Sequence, residues 1–190
     1  MDRTKIDFFI STTGEMSIRL RAMGFATFGS VAEYVRLLPY GRVQGTSASA
    51  VLDQRKGTCS SKHALLATVA LEADRDDIEL MLGIFEMNER NTPGVGEVLT
   101  SRGLACVPEA HCYLRVNGER LDFTGIPSGL ESPFETLRSE DRIDPWTVID
   151  AKPHYHRAFI QRWSKEHGLD PDHVWQAREE CIQQLARQAG

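Results

Sequence analysis

The sequence predicts one compact domain, residues 1–190, in which buried helices combine with an antiparallel hairpin. Three observations carry that prediction. In Gly57–Leu71, Leu65, Leu66, Val69 and Ala70 recur at helical spacing. In Glu109–Gly125, Asn117-Gly118 separates two alternating runs, the preferred two-residue hairpin turn. Near the C-terminus, Trp163, Val174, Trp175, Ile182 and Leu185 form helical stripes that read as packing.

Composition narrows the function classes. The chain is 41% hydrophobic and 26% charged, ordinary for a globular protein. A net charge of −5 without a run of lysine or arginine argues against a nucleic-acid or anionic-membrane partner. The apolar patch Phe8–Ile10 is too short for a secretory core, and no stretch approaches membrane-spanning length. Four cysteines in a chain of this size point to thiols in a reducing compartment, so the expected location is cytoplasmic.

Taken in order, residues 4–11 read as a strand, and residues 15–23 as a short helix ended by Gly24. Ser30 suits the N-cap of a second helix, with Glu33 in the capping-box position and Pro39 beyond its end. Tyr40–Ser49 is a glycine- and hydroxyl-rich loop, and Ser47 or Ser49 caps a short helix reaching about Arg55. The cysteine-bearing helix follows, with Ser60 and Ser61 at its start. Ile78–Met87 is a continuous apolar run, which best fits a strand buried on both faces, with a short buried helix as the alternative. The connection from Asn88 to Glu109 is long enough to suggest a lid or substrate wall, with one helical turn at Glu97–Ser101. After the hairpin, the sequence suggests a short helix over Phe134–Arg138, a last strand over Trp146–Ile149, and a helix over Pro153–His167. A final helix opens at Asp170-Pro171.

The hairpin fixes a geometry. Counting outward from the turn, Val116 faces Glu119, Arg115 faces Arg120, and Leu114 faces Leu121; continued, Tyr113 faces Asp122 and His111 faces Thr124. His111, Tyr113, Asp122 and Thr124 then share one side, with His111 and Asp122 as diagonal neighbours. Cys112, Leu114, Leu121 and Phe123 take the apolar side. An imidazole beside a carboxylate is what thiol catalysis requires. The imidazole moves the thiol proton, and the carboxylate orients the ring. Cys59 at a helix start would supply the thiol, since the positive end of the helix dipole favours the thiolate. Backbone N–H groups there suit an oxyanion.

Gly-x-Cys on a helix, His on a later strand and Asp-x-Thr on the next resembles the core of the transglutaminase-like superfamily, a branch of the papain-like cysteine-protease fold. The matching stretches are Val51–Leu66, Ala110–Val116 and Leu121–Gly125, so the resemblance covers about residues 49–125. It implies an α+β fold whose nucleophile helix packs on an antiparallel sheet, with helices after it, and a Cys59–His111–Asp122 triad. It also implies a thiol acyltransferase or cysteine hydrolase, without cofactor or metal, acting on a peptide or amide-containing substrate. Water as acceptor gives a peptidase or amidase, and an amine gives an amide transferase. The chain departs from the family at Cys112 and Tyr113, where a small residue and tryptophan usually follow the histidine. It departs again at Asp74–Asp77, where Gly-Ile-Pro is usual. Tyr40, Gln44 and Gln54 are the candidates for the side chain completing the oxyanion hole. Those departures leave an alternative, an inactive member of the fold acting as a binding module.

Lys62 and His63 follow Cys59 within one turn, and His63 reads as a polar residue on the helix face, with contact to the thiol or a metal as the alternative. Cys106, Cys112, His111, His154 and His156 lack recognisable zinc-motif spacing. Arg102, Arg115 and Arg120 read as a solvated face.

Overall fold

The computed structural model describes residues 6–125 and 131–188, with side chains as far as residue 187. The fold is α+β, with a four-stranded antiparallel sheet of order β3-β2-β1-β4 and helices. The helices are α1 (Glu15–Ala22), α2 (Phe28–Leu37), α3 (Ala50–Gln54), α4 (Cys59–Glu72), α5 (Gly96–Ser101), α6 (Val148–Glu166) and α7 (Pro171–Gln188). The strands are β1 (Glu79–Met87), β2 (Val107–Val116), β3 (Glu119–Leu121) and β4 (Leu137–Arg142). The chain divides into two compact units. One comprises Met1–Leu82, Cys112–Ile126 and Asp141–Ala151; the other comprises Gly83–His111, Pro127–Glu140 and Lys152–Gly190.

The first unit is built on α4, against which α1, α2 and α3 pack. Every residue from Cys59 to Ala70 is buried, polar ones included, so α4 buries its whole circumference rather than one apolar face. The Glu72 carboxylate, at the far end of α4, accepts from the backbone N–H groups of Met16 (2.8 Å) and Ser17 (2.7 Å) and so caps α1. Gly14 is required there, because a Cβ would lie 2.2 Å from the Glu72 side chain. The expected strand over residues 4–11 is absent among its described residues. Only Phe9 pairs, in a single antiparallel bridge with Thr27, because the partner chain turns at once into α2. Thr27, not Ser30, caps α2, and the helix starts early enough for Phe28 to stack on Phe8 at 4.8 Å.

The hairpin register is the expected one at Leu114↔Leu121, Arg115↔Arg120 and Val116↔Glu119, with Asn117 and Gly118 at φ 50° and 81°. Strand β3 ends at Leu121, so the ladder does not continue through Asp122. The apolar side is buried as expected, but Tyr113 and Thr124 on the other side are buried as well.

In the second unit, Phe85 and Met87 from β1, Leu99 from α5, Trp163 from α6 and Val174 and Cys181 from α7 share one core. Glu109 on β2 and Arg178 on α7 form a buried bidentate pair at 2.5 and 2.8 Å. The long connection is no open loop. Asn91 is buried, and the Glu89 carboxylate accepts from Gly94 N–H and Gly96 N–H, the latter at 2.6 Å, which holds the chain entering α5.

Of two expectations after the hairpin, one holds in part and one is overturned. The short helix expected over Phe134–Arg138 is a 3₁₀ helix over Pro133–Thr136, and Leu137 and Arg138 instead open β4. Its sequence, LRSEDR, carries no apolar alternation. Pairing at the sheet edge next to β1 makes it a strand, and its charges suit an exposed edge. Trp146–Ile149 is not a strand, because Asp144 accepts from Trp146 N–H at 2.7 Å and its carbonyl accepts from Val148 N–H, which starts α6 instead. That helix therefore begins before Pro153 and contains it. The final helix opens at Pro171, with Asp170 accepting from Asp172 N–H, as expected.

Candidate functional site

The approach to Cys59 is held by backbone pairing. Gly57 N–H donates to the Pro39 carbonyl at 3.1 Å and Gly41 N–H to the Gly57 carbonyl at 3.2 Å, a parallel bridge that sets half-exposed Tyr40 beside Gly57. Thr58 precedes the helix, and Ser61 reaches back to accept from Thr58 N–H at 2.9 Å. Cys59 is thus the first residue of a fourteen-residue helix and is 3% exposed. All four cysteines are thiols rather than disulfides.

The next turn of α4 departs from expectation. His63 is no surface residue; its exposure is 0%. Its Nε2 lies 2.8 Å from Phe123 N, and a backbone N–H can only donate, so Nε2 accepts and the ring proton sits on Nδ1. Nδ1 in turn donates to the Cys59 carbonyl at 2.8 Å. The 3.7 Å approach of Nε2 to the Asp122 carboxylate is therefore no salt bridge, since that nitrogen holds no proton. Lys62 is also at 0% exposure, and its ammonium donates to the carbonyls of Leu38 (2.6 Å), Thr124 (2.7 Å) and Arg36 (3.4 Å). Burial pushes that ammonium down to about 8, opposed by the charges of Asp122 and Cys59 and assisted by Arg36.

Asp122 follows β3 directly. One carboxylate oxygen accepts from Thr124 N–H at 2.8 Å and from the Thr124 hydroxyl, fixing the turn into Gly125. Gly125 has φ 80°, and a Cβ there would lie 2.1 Å from the Arg36 carbonyl oxygen. The first unit thus docks the Asp122–Gly125 turn on the Cys59 end of α4, through His63 to Phe123 and Lys62 to Thr124. His111 is the last residue of the segment Gly83–His111, in the second unit. It is half-buried on β2, edge-on to Phe85 at 6.2 Å and 6.4 Å from the Phe134 ring.

Of the oxyanion candidates, Gln54 is committed elsewhere. Its side-chain amide donates to the Gln44 carbonyl (2.9 Å) and accepts from Gln44 N–H (3.0 Å), clamping the loop. Gln44 is exposed. Of the arginines, Arg115 pairs with Glu79 and Arg102 with Glu180. His156 bonds the Pro108 carbonyl at 2.8 Å, and burial lowers its proton affinity. Among the described residues, no group of three or more His, Cys, Asp or Glu is placed to hold a metal ion. A groove of about 500 Å³ in the first unit, lined by Glu15, Thr46, Glu72 and Trp146 among others, includes none of Cys59, His111 and Asp122.

Sequence reasoning missed Lys62. The available signal was its place, with His63, in a helix whose other positions before Glu72 are small or apolar on every side. Comparison with protein-family models, curated proteins and solved structures finds no match. Among the described residues, no helix is long and apolar enough to cross a membrane.

Proposed function

We propose that this chain is a cytoplasmic, cysteine-dependent acyl-transfer enzyme of transglutaminase-like type, acting on a peptide or amide-containing substrate. Cys59 is the nucleophile, His111 the general base and Asp122 the carboxylate that orients the imidazole. His111 takes the thiol proton, and the sulfur adds to the carbonyl carbon, forming a C–S bond. The C–N bond then breaks, with the proton returned to the leaving nitrogen. Water or an amine displaces the thiol from the resulting thioester, giving hydrolysis or amide transfer. Backbone N–H groups at the start of α4 serve the oxyanion.

The observation that supports this reading is the docking of the Asp122 turn on the helix turn that carries Cys59. Iodoacetamide labelling followed by mass spectrometry tests it. Cys59 is expected to react faster than Cys106, Cys112 and Cys181 near pH 7, and His111→Ala is expected to slow it at least tenfold. Equal labelling of the four thiols sinks the proposal.

One observation favours a second reading, a binding module that retains the fold: Cys59 is only 3% exposed. Under it, Cys59 stays unlabelled in the folded protein, and the same experiment separates the two.

A further inference from the structure

We propose that Lys62 is a positioning residue whose buried ammonium ties the Asp122–Gly125 turn to α4 and supplies the positive charge that the Cys59 thiolate faces. The assignment rests on the proposed role of Cys59 and goes beyond it, since Lys62 is not one of the three residues of the proposed triad.

A fully buried lysine is uncommon and needs partners. Here the three ammonium protons match three carbonyl oxygens, those of Leu38, Thr124 and, more distantly, Arg36. None of these acceptors carries a formal charge, so hydrogen bonding is satisfied while the charge itself is not neutralised by them. The groups whose charge acts on it are Asp122 from the turn after β3, Arg36 from α2, and Cys59 one turn earlier on its own helix. Side chains in a helix lean toward the N-terminus, so a residue at i+3 leans over residue i, here Cys59. The surrounding chain makes room for the lysine. A Cβ on Gly57 would lie 2.8 Å from its Cγ, and one on Gly125 would lie 3.7 Å from Nζ. Glycines two residues before Cys59 and three after Asp122 are thus both set against this side chain.

A neutral tether would position the turn equally well. What distinguishes an ammonium is its field at the thiol, and that coupling is reciprocal: if the ammonium favours the thiolate, the thiolate favours the ammonium to the same extent. The test measures both directions. Iodoacetamide alkylation of Cys59 is followed from pH 5 to pH 10 in the wild type and Lys62→Met, each with His111 intact and as His111→Ala. The midpoint is expected to rise by about one unit in Lys62→Met in both backgrounds, about a tenfold rate loss at neutral pH. An unchanged midpoint in folded Lys62→Met overturns the proposal. If His111→Ala alone leaves the midpoint where it is while Lys62→Met shifts it, the base assignment fails and the lysine assignment stands. Should Lys62→Met not fold, ¹⁵N-lysine NMR decides. The Lys62 titration, near 8 in the wild type, is expected to fall in Cys59→Ala, and an unmoved midpoint overturns the proposal.

Discussion

His63 Nε2 accepts the backbone N–H of Phe123 at 2.8 Å and, together with the Lys62 bond to the Thr124 carbonyl, joins α4 to the segment that follows the hairpin. The histidine nearest Cys59 in sequence is therefore committed to the fold and holds no proton on the nitrogen that faces Asp122. Its replacement leaves a buried N–H without an acceptor and a void inside α4.

His63→Ala is expected to lower stability by about 3 kcal/mol, the sum of an unsatisfied buried donor and a cavity. Urea unfolding followed by circular dichroism measures it. A loss below about 1 kcal/mol contradicts the assigned hydrogen bond.

Two glycines with similar backbone angles are expected to behave differently. Gly118 in the hairpin has φ 81° with nothing within 4 Å of a Cβ, so Gly118→Ala costs about 1 kcal/mol of backbone strain. Gly125→Ala adds a clash with the Arg36 carbonyl oxygen and is expected to cost about 3 kcal/mol or more. Paired thermal or urea melts decide, and equal losses would refute the close approach.

The Glu109–Arg178 pair makes stability depend on acid. Burial works against the Glu109 carboxylate, and the Arg178 guanidinium more than offsets it, so Glu109 titrates below the ordinary carboxylate value. A depressed folded value means that its contribution is present at neutral pH and disappears as pH falls through that value. Urea melts from pH 7 to pH 3 should show this loss in the wild type and a shallower one in the Glu109→Gln, Arg178→Met double variant. Glu109→Gln alone leaves the buried guanidinium with Glu179 as its other carboxylate partner and is expected to cost about 3 kcal/mol at pH 7.

Glu72 caps a helix other than its own. Glu72→Ala removes acceptors from Met16 N–H, Ser17 N–H and the Ser17 hydroxyl, and is expected to cost about 2 kcal/mol. Hydrogen exchange should show the loss locally, as faster exchange at the start of α1. Uniform acceleration across the molecule would contradict a capping role.

Local rules were legible where the chain decides its own structure. Asn117-Gly118 set the hairpin and its three-pair register, Asp170-Pro171 opened α7, and Gly24 ended α1, because each depends on a few adjacent backbone angles. β1 was legible because its apolar run needs two covered faces. The same reading failed at β4, whose polar sequence is a strand only because β1 offers an edge. It also failed at Trp146–Ile149, where capping by Asp144 outweighs β-propensity.

For the candidate site, the sequence by itself determined the residue types and their order: a cysteine opening a helix, a histidine on a strand, and an aspartate after the turn. It also determined that His111 lies on β2, since alternation and the hairpin turn are local. Only the tertiary structure decided that α4 is buried on all sides, that Asp122 leaves the ladder to cap Thr124, and that His63 and Lys62 hold that turn. Those outcomes rest on hydrogen bonds between residues about sixty positions apart, such as His63 to Phe123 and Lys62 to Thr124. Burial removes competing water from both partners, and no periodicity in the sequence encodes which distant carbonyl or N–H replaces it.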